Sequence, residues 1–161
     1  MELEQLLEQF AAAVGAHDSS GLAALFCEDG VYDDYFFGAH KGRSEIAAML
    51  DRFHVGGEAF YWQFHDLAQR GELAYASYLF SYLSREPESP GKMIVFEGIA
   101  RLRLRDGLIA HYAEVFDRGV AFTQLGYPGE RIGKLLTRYA GGFTSSDAVQ
   151  GHIRQRAASL A

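Results

Sequence analysis

The stretch FAAAVGAHDSSGLAALFCEDGVYDDYFFGAHKGRSEIAAMLDRF, residues 10–53, decides the fold. Just ahead of it and into it, Leu3, Leu6, Leu7, Phe10 and Val14 recur at helical spacing. His17-Asp18-Ser19-Ser20 breaks that pattern, and Asp18 or a serine can N-cap the next helix. Leu22, Leu25 and Phe26 form the apolar stripe of this second, short helix, which the spacing carries to Glu28-Asp29-Gly30. An aromatic strand Val31–Phe37 comes next, closed by Gly38. Alternation along a strand sends the adjacent Asp33 and Asp34 to opposite faces, so one of these carboxylates is expected to face a pocket. KGRSEI, residues 41–46, opens a third helix that buries Ile46, Met49, Leu50 and Phe53.

Beyond Gly56-Gly57 the chain is rich in aromatic and β-favouring residues, and strands are placed near 59–68, 72–84, 93–104 and 108–117. Arg70-Gly71 and Asp106-Gly107 suit tight hairpins, while Glu86–Lys92, with Pro87 and Pro90, reads as a looser loop. After Tyr127-Pro128-Gly129, the residues Ile132, Leu135, Leu136 and Tyr139 return to helical spacing, and a last helix covers Asp147–Ser159. The expected class is α+β: a strongly curved, mainly antiparallel sheet forms a cone closed by the three N-terminal helices, with a C-terminal helical tail. Such a cone encloses a pocket fit for a small hydrophobic molecule. Its outer face carries Ile99, Ala113 and Val115, so a homodimer through that face is expected, with the helix around Ile132–Tyr139 as the other possible cover.

At 161 residues, 48% hydrophobic and 14% aromatic, the chain fits one domain, 1–161, with its core over about 3–119 and a helical extension over about 120–161. A net charge of −6 offers no clustered cation for nucleic acid or an anionic membrane. MELEQLLEQF lacks the basic start and apolar core of a secretory signal, and no apolar run is long enough to span a bilayer, so the expected compartment is the cytoplasm. Cys27 is the single cysteine and reads as a small buried hydrophobe. The six histidines form no HxH, HxxxH or Cys-paired set, and no GxSxG, Walker or GxGxxG motif is present. No metal and no cofactor is expected. Arg101, Arg103 and Arg105, at period two, read as a solvated or dimer-facing surface.

The order of elements, with the spacings AxxxxHD, LxxLFxxDGxxxD and KGRxEI, resembles the nuclear transport factor 2-like superfamily, in its SnoaL-like and ketosteroid isomerase-like group. The resemblance covers roughly Leu3 to Gly119 and implies the cone fold, a small-molecule pocket and frequent pairing into dimers. DGVYDDY is similar to the segment that carries the general-base aspartate of the ketosteroid isomerases, which makes Asp34 the first catalytic candidate. The second role open to Asp34 is a rim carboxylate or a cap for the next turn. The isomerases add a tyrosine on the first helix and a protonated aspartate on a later strand, and those places fall on Phe10 and Ala100, which donate no side-chain hydrogen bond.

GLIAHYAEVFD resembles the last strand of the limonene epoxide hydrolases, which makes Glu114 the second catalytic candidate, with Tyr112 two places before it. Alternation puts Tyr112, Glu114 and Phe116 on one face, where flanking aromatics would desolvate the carboxyl and raise its pKa. The alternative is a solvated Glu114 facing Arg101 or Arg103. LAYASYLFSYLS lacks the arginine and aspartate that those hydrolases use. Tyr32, Tyr112, Phe10, Trp62, Tyr78, Phe96 and Phe116 are the expected ligand contacts, and the role of His65 stays open. Two functions are compatible with these residues: a cofactor-free lyase, isomerase or hydrolase acting on a small hydrophobic cyclic or carbonyl compound, or a non-catalytic ligand-binding or dimerisation module.

Overall fold

The computed structural model describes residues 2–160, so Met1 and Ala161, the two ends of the expected range, lie outside the described residues. Helix α1 (Leu3–Gly15) buries Leu3, Leu6, Leu7, Phe10, Ala13 and Val14, the stripe that the helical spacing marks. Asp18 caps α2 (Ser19–Ala24), its carboxylate accepting from the Gly21 N–H at 2.8 Å. Strands β1 (Phe26–Asp34) and β2 (Gly38–Lys41) follow, then α3 (Arg43–Gly56). The long strands β3 (Gly57–Arg70), β4 (Leu73–Ser84), β5 (Met93–Arg105) and β6 (Leu108–Phe116) form the bulk of one sheet. Three helices end the chain: α4 (Arg118–Gln124), α5 (Gly129–Ser145) and α6 (Asp147–Leu160).

The sheet runs β2-β1-β6-β5-β4-β3, antiparallel except where β1 lies parallel to β6. It is curved and unclosed, as expected of the fold, and its bends have local causes. Register shifts fall between Glu58 and Tyr61 and between His65 and Ala68 on β3, where Ala59 and Asp66 take positive φ values of 53° and 51°. Each such bulge bends its strand and sharpens the twist. The concave face collects the core, in which Phe10, Tyr32, Met49, Tyr78 and Tyr112 are almost wholly buried.

Several boundaries differ from the sequence reading. The second helix stops at Ala24 instead of running to Gly30, and the first strand starts at Phe26. Tertiary pairing overrides the helical spacing here, because Phe26 pairs with Ile109 and the Ile109 N–H donates to the Leu25 carbonyl at 2.9 Å. The chain then bulges before Val31 regains register with His111, and Gly30 sits in that bulge where a Cβ would meet the Cys27 and Ile109 carbonyl oxygens at 2.9 Å. The first strand ends at Asp34 and not at Gly38, and Gly38 instead starts the short strand β2. The Asp106-Gly107 turn has both φ values positive, at 54° and 76°, as a two-residue hairpin turn requires. The other tight turn is centred on Gly71 and Glu72, one residue later than expected.

The boundary expected at 119 falls inside α4, whose Ala121 and Phe122, with Leu125 after it, join the same core. Ile132, Leu135 and Tyr139 of α5 also pack against that core, so this helix covers the concave side and not the outer face around Ile99. Among the described residues no helix is long and apolar enough to cross a membrane.

Candidate functional site

Inside the cone lies a cavity of about 390 Å³. Its wall is mostly aromatic and aliphatic, with Phe36, Phe60, Phe80 and Phe122 joined by Trp62, Phe96 and Phe116. Phe96 and Phe116 stack at 4.4 Å, and Phe36 meets Phe116 edge-on at 4.8 Å. Offset and edge-on ring pairs of this kind are worth about 0.5–1.5 kcal/mol each beyond the area they bury. Of the residues singled out in the sequence, Asp34, Glu114, Tyr32, Trp62, Phe96 and Phe116 lie on it together.

Phe10, Tyr78 and Tyr112 are not among the residues that line that cavity. They form the layer behind it, since Phe10 fills the helix–sheet interface against Tyr32 and Tyr112, with ring centroids 6.0 and 5.1 Å away. His65 is exposed and bonds to Asp66 at 2.9 Å, away from the cavity. The lining also includes His40, Arg52, Arg131, Leu135, Arg138 and Tyr139, none of which the sequence reading picked out as site residues. The only signal that touched them was the helical spacing of Leu135 and Tyr139 in the tail.

Asp34 ends β1, where alternation turns it inward with Tyr32 while Val31 and Asp33 stay partly exposed. Its Oδ1 accepts from the Phe36 and Phe37 N–H groups at 2.9 and 2.7 Å, turning the chain toward β2. The capping role is therefore real, and it occupies only one oxygen. Burial pushes the Asp34 pKa up to about 6, the two N–H bonds pull against that rise, and the Asp33 charge adds to it.

Glu114 is buried on β6 between Tyr112 and Phe116, not solvated beside Arg101. Its Oε2 accepts from Tyr78 Oη at 2.9 Å and from Tyr112 Oη at 3.0 Å. Burial pushes its pKa up to about 8, repulsion from Asp34 adds to the rise, and the two phenol bonds moderate it. Tyr78 reaches Glu114 across β5 only because position 98 is glycine: a Cβ there would stand 2.4 Å from Tyr78 Oη and 2.7 Å from the Val115 carbonyl oxygen. Burial beside these carboxyls drives the pKa values of Tyr32, Tyr78 and Tyr112 far up, so the phenols act only in their protonated form.

Three buried polar atoms of lining residues, Tyr32 Oη, Trp62 Nε1 and His40 Nε2, have no hydrogen-bond partner among the described residues. A buried polar group left unpaired costs on the order of 1–3 kcal/mol. The site thus sets two carboxyls in unlike surroundings within a largely aromatic wall.

The profile of the SnoaL-like domain family matches residues 7–112. No curated protein matches the chain. Among solved structures, a protein of ketosteroid isomerase-like fold from Catenulispora acidiphila, in complex with trimethylamine, superposes with a TM-score of 0.71 at 20% identity, over 78% of this chain and 95% of that one. IdmH from Streptomyces antibioticus, described as a candidate polyketide cyclase, gives 0.65 at 16% identity over 79% and 100%. An epoxide hydrolase from M. tuberculosis, of the LEH-like type, gives 0.62 at 20% identity over 75% and 86%. At such identities the likeness speaks for the fold alone.

Proposed function

From the premise that this chain belongs to the SnoaL-like domain family, we propose that it is a carboxyl acid–base enzyme acting on a small, largely apolar cyclic carbonyl compound. The observation that carries this reading is the pair itself: one cavity holds Asp34, bonded to two backbone amides, and Glu114, bonded to two phenols. With pKa values pushed to about 6 and about 8, Asp34 is mostly ionised at neutral pH and Glu114 mostly protonated. Two carboxyls whose environments separate their pKa values divide into a base and an acid.

Asp34 takes a proton from a carbon next to the substrate carbonyl. The electron pair of that C–H bond becomes the new C–C π bond, and the carbonyl π pair moves to oxygen, which receives a hydrogen bond or the proton of Glu114. Where the substrate carries a C=C bond beyond that carbon, the enol is conjugated with it, and Asp34 returning the proton to the far carbon of that bond completes an isomerisation. Where it carries a second carbonyl, attack of the enol carbon there forms the new C–C bond, the π pair of that carbonyl moves to its oxygen, and the oxygen takes the proton held by Asp34, which completes a ring closure. The reaction in this form calls on no cofactor. Position 100, where the ketosteroid isomerases carry their protonated aspartate by resemblance, is Ala100 here, yet its register partner across the strand pair is Glu114. The acid is supplied from the neighbouring strand.

The chain would work as one domain over 1–161, paired with a second copy through the outer sheet face. Ile99 and Val115, 50% and 53% exposed, sit opposite each other in that face. Light scattering that gives a monomer mass at every concentration would overturn the pairing.

Base-catalysed exchange provides the direct test of the chemistry: 2-tetralone in D2O, followed by proton NMR for deuterium entering beside the carbonyl. The protein is expected to speed exchange over buffer, and Asp34→Asn to slow it by about a hundredfold or more. Unchanged exchange in that variant would refute the assignment. A non-catalytic ligand-binding module is the second reading, favoured by the absence of a donor at Phe10. Binding of the ketone without exchange in the unmodified protein is its signature.

A further inference from the structure

The cavity is electrostatically two-ended. Asp34 and Glu114 are almost wholly buried at its inner end, whereas the arginines that share its lining, Arg52, Arg131 and Arg138, are exposed at its mouth. Arg131 is committed: it pairs with Glu88 at 2.8 Å and lies 3.5 Å over the Tyr127 ring. Glu86, the carboxylate at the same mouth, is taken by Tyr127 Oη at 2.5 Å. Arg52 and Arg138 are different, because neither has a carboxylate within 4.0 Å among the described residues. Arg52 has only the His40 ring nitrogen at 3.4 Å, and Arg138 only the Tyr139 ring at 5.6 Å.

These two cations come from separate elements, Arg52 from α3 and Arg138 from α5. Helix α5 lies beyond the stretch matched by the family profile and is fastened across the mouth by specific contacts. Tyr139 Oη donates to the Phe36 carbonyl at 3.0 Å, and the Arg118 guanidinium lies 3.5 Å from the Tyr35 ring and 3.7 Å from that of Tyr139. The tail therefore brings Arg138, the neighbour of the anchored Tyr139, to the rim. A guanidinium presents paired N–H donors that match the oxygens of a carboxylate or a phosphate.

We infer that the ligand of this cavity is an aromatic-sized apolar compound with an anionic substituent, held at the mouth by Arg52 and Arg138 with its carbonyl end turned inward to Asp34 and Glu114. The inference rests on the ligand-cavity reading above and adds substrate class and orientation to it. A negative group is repelled from the carboxyl end and drawn to the arginine end, so the same charge that confers affinity also sets direction. Arg118 takes no part, since its donors go to the Tyr35 carbonyl.

Calorimetric titration with three probes of one shape tests this: 2-naphthoate, 2-naphthyl phosphate and the neutral 2-naphthamide. At least one anion is expected to bind about tenfold or more tightly than the amide, the scale of a charge-assisted hydrogen bond. The stronger of the two anions identifies which group the site takes. Arg52→Gln and Arg138→Gln, both at exposed positions, should each remove most of that preference and leave the amide's affinity as it was. Equal binding of amide and anions, or unchanged anion affinity in both variants, overturns the inference and leaves the ligand cavity standing. Failure of all three probes to bind overturns both.

Discussion

Replacing Glu114 with Gln should make the protein more stable at alkaline pH, and the size of the gain follows from the burial of this one carboxyl. Both phenol bonds, from Tyr78 and Tyr112, fall on Oε2, so a glutamine carbonyl oxygen can accept both while its NH2 takes the place of the acid O–H. The shape and both phenol bonds are kept, and the titration is removed. The folded-state pKa is raised from 4.5 to about 8. Below about pH 4.5 the group is protonated in both states and costs nothing. Between that pH and about 8 the unfolded chain releases its proton while the folded chain keeps it, so wild-type stability falls as pH rises. At about 1.4 kcal/mol per pH unit, a window from 4.5 to about 8 amounts to about 5 kcal/mol. Asp34, raised from 3.8 to about 6, adds a loss of the same sign at lower pH in both proteins. Urea unfolding, followed by circular dichroism at steps of pH between 5 and 8.5, reads the difference. Glu114→Gln should gain on the wild type steadily through that range and level off above it. Parallel stability curves would refute a buried, proton-holding Glu114, and with it the assignment of this residue as the acid.

Tyr78→Phe removes one of the donors that favour ionised Glu114, so the carboxyl should titrate about one pH unit higher, visible by carbon NMR of labelled glutamate; an unmoved titration would mean that the phenol does not act on it. Gly98→Ala places a methyl against Tyr78 and the strand backbone, and is expected to lower stability by about 1–3 kcal/mol and to slow carbonyl exchange. An alanine variant with wild-type melting and activity would contradict the close approach. Arg118→Ala takes away a partly buried guanidinium stacked on Tyr35 and Tyr139, contacts worth about 0.5–2 kcal/mol each. Amide exchange should quicken in α5 and stay slow in the sheet, and uniform protection would show that the helix is anchored otherwise.

Much of this protein follows from periodicity along the chain. A repeat of two on β1 and β6 places Asp34 with Tyr32 and Glu114 between Tyr112 and Phe116, because successive side chains of a strand leave on opposite faces whatever it pairs with. Helical spacing finds α1 and α3 for the same kind of reason, and the Asp-Gly pair finds its hairpin through a local demand for positive φ. What tertiary structure decides lies between residues far apart in the chain. The parallel pairing of β1 with β6 chooses Asp34 over Asp33 for the cavity and draws Phe26 out of its expected helix. The bond from Tyr78 to Glu114 depends on Tyr78 crossing Gly98, a contact between strands that no run of neighbouring residues records. Helix α5 is legible as an amphipathic segment, but its position over the cavity mouth comes from Arg118, Tyr35 and Phe36, drawn from two distant stretches. Local backbone preference is written residue by residue, whereas a site needs side chains to meet, and where they meet is set by how the sheet bends and which of its edges pair.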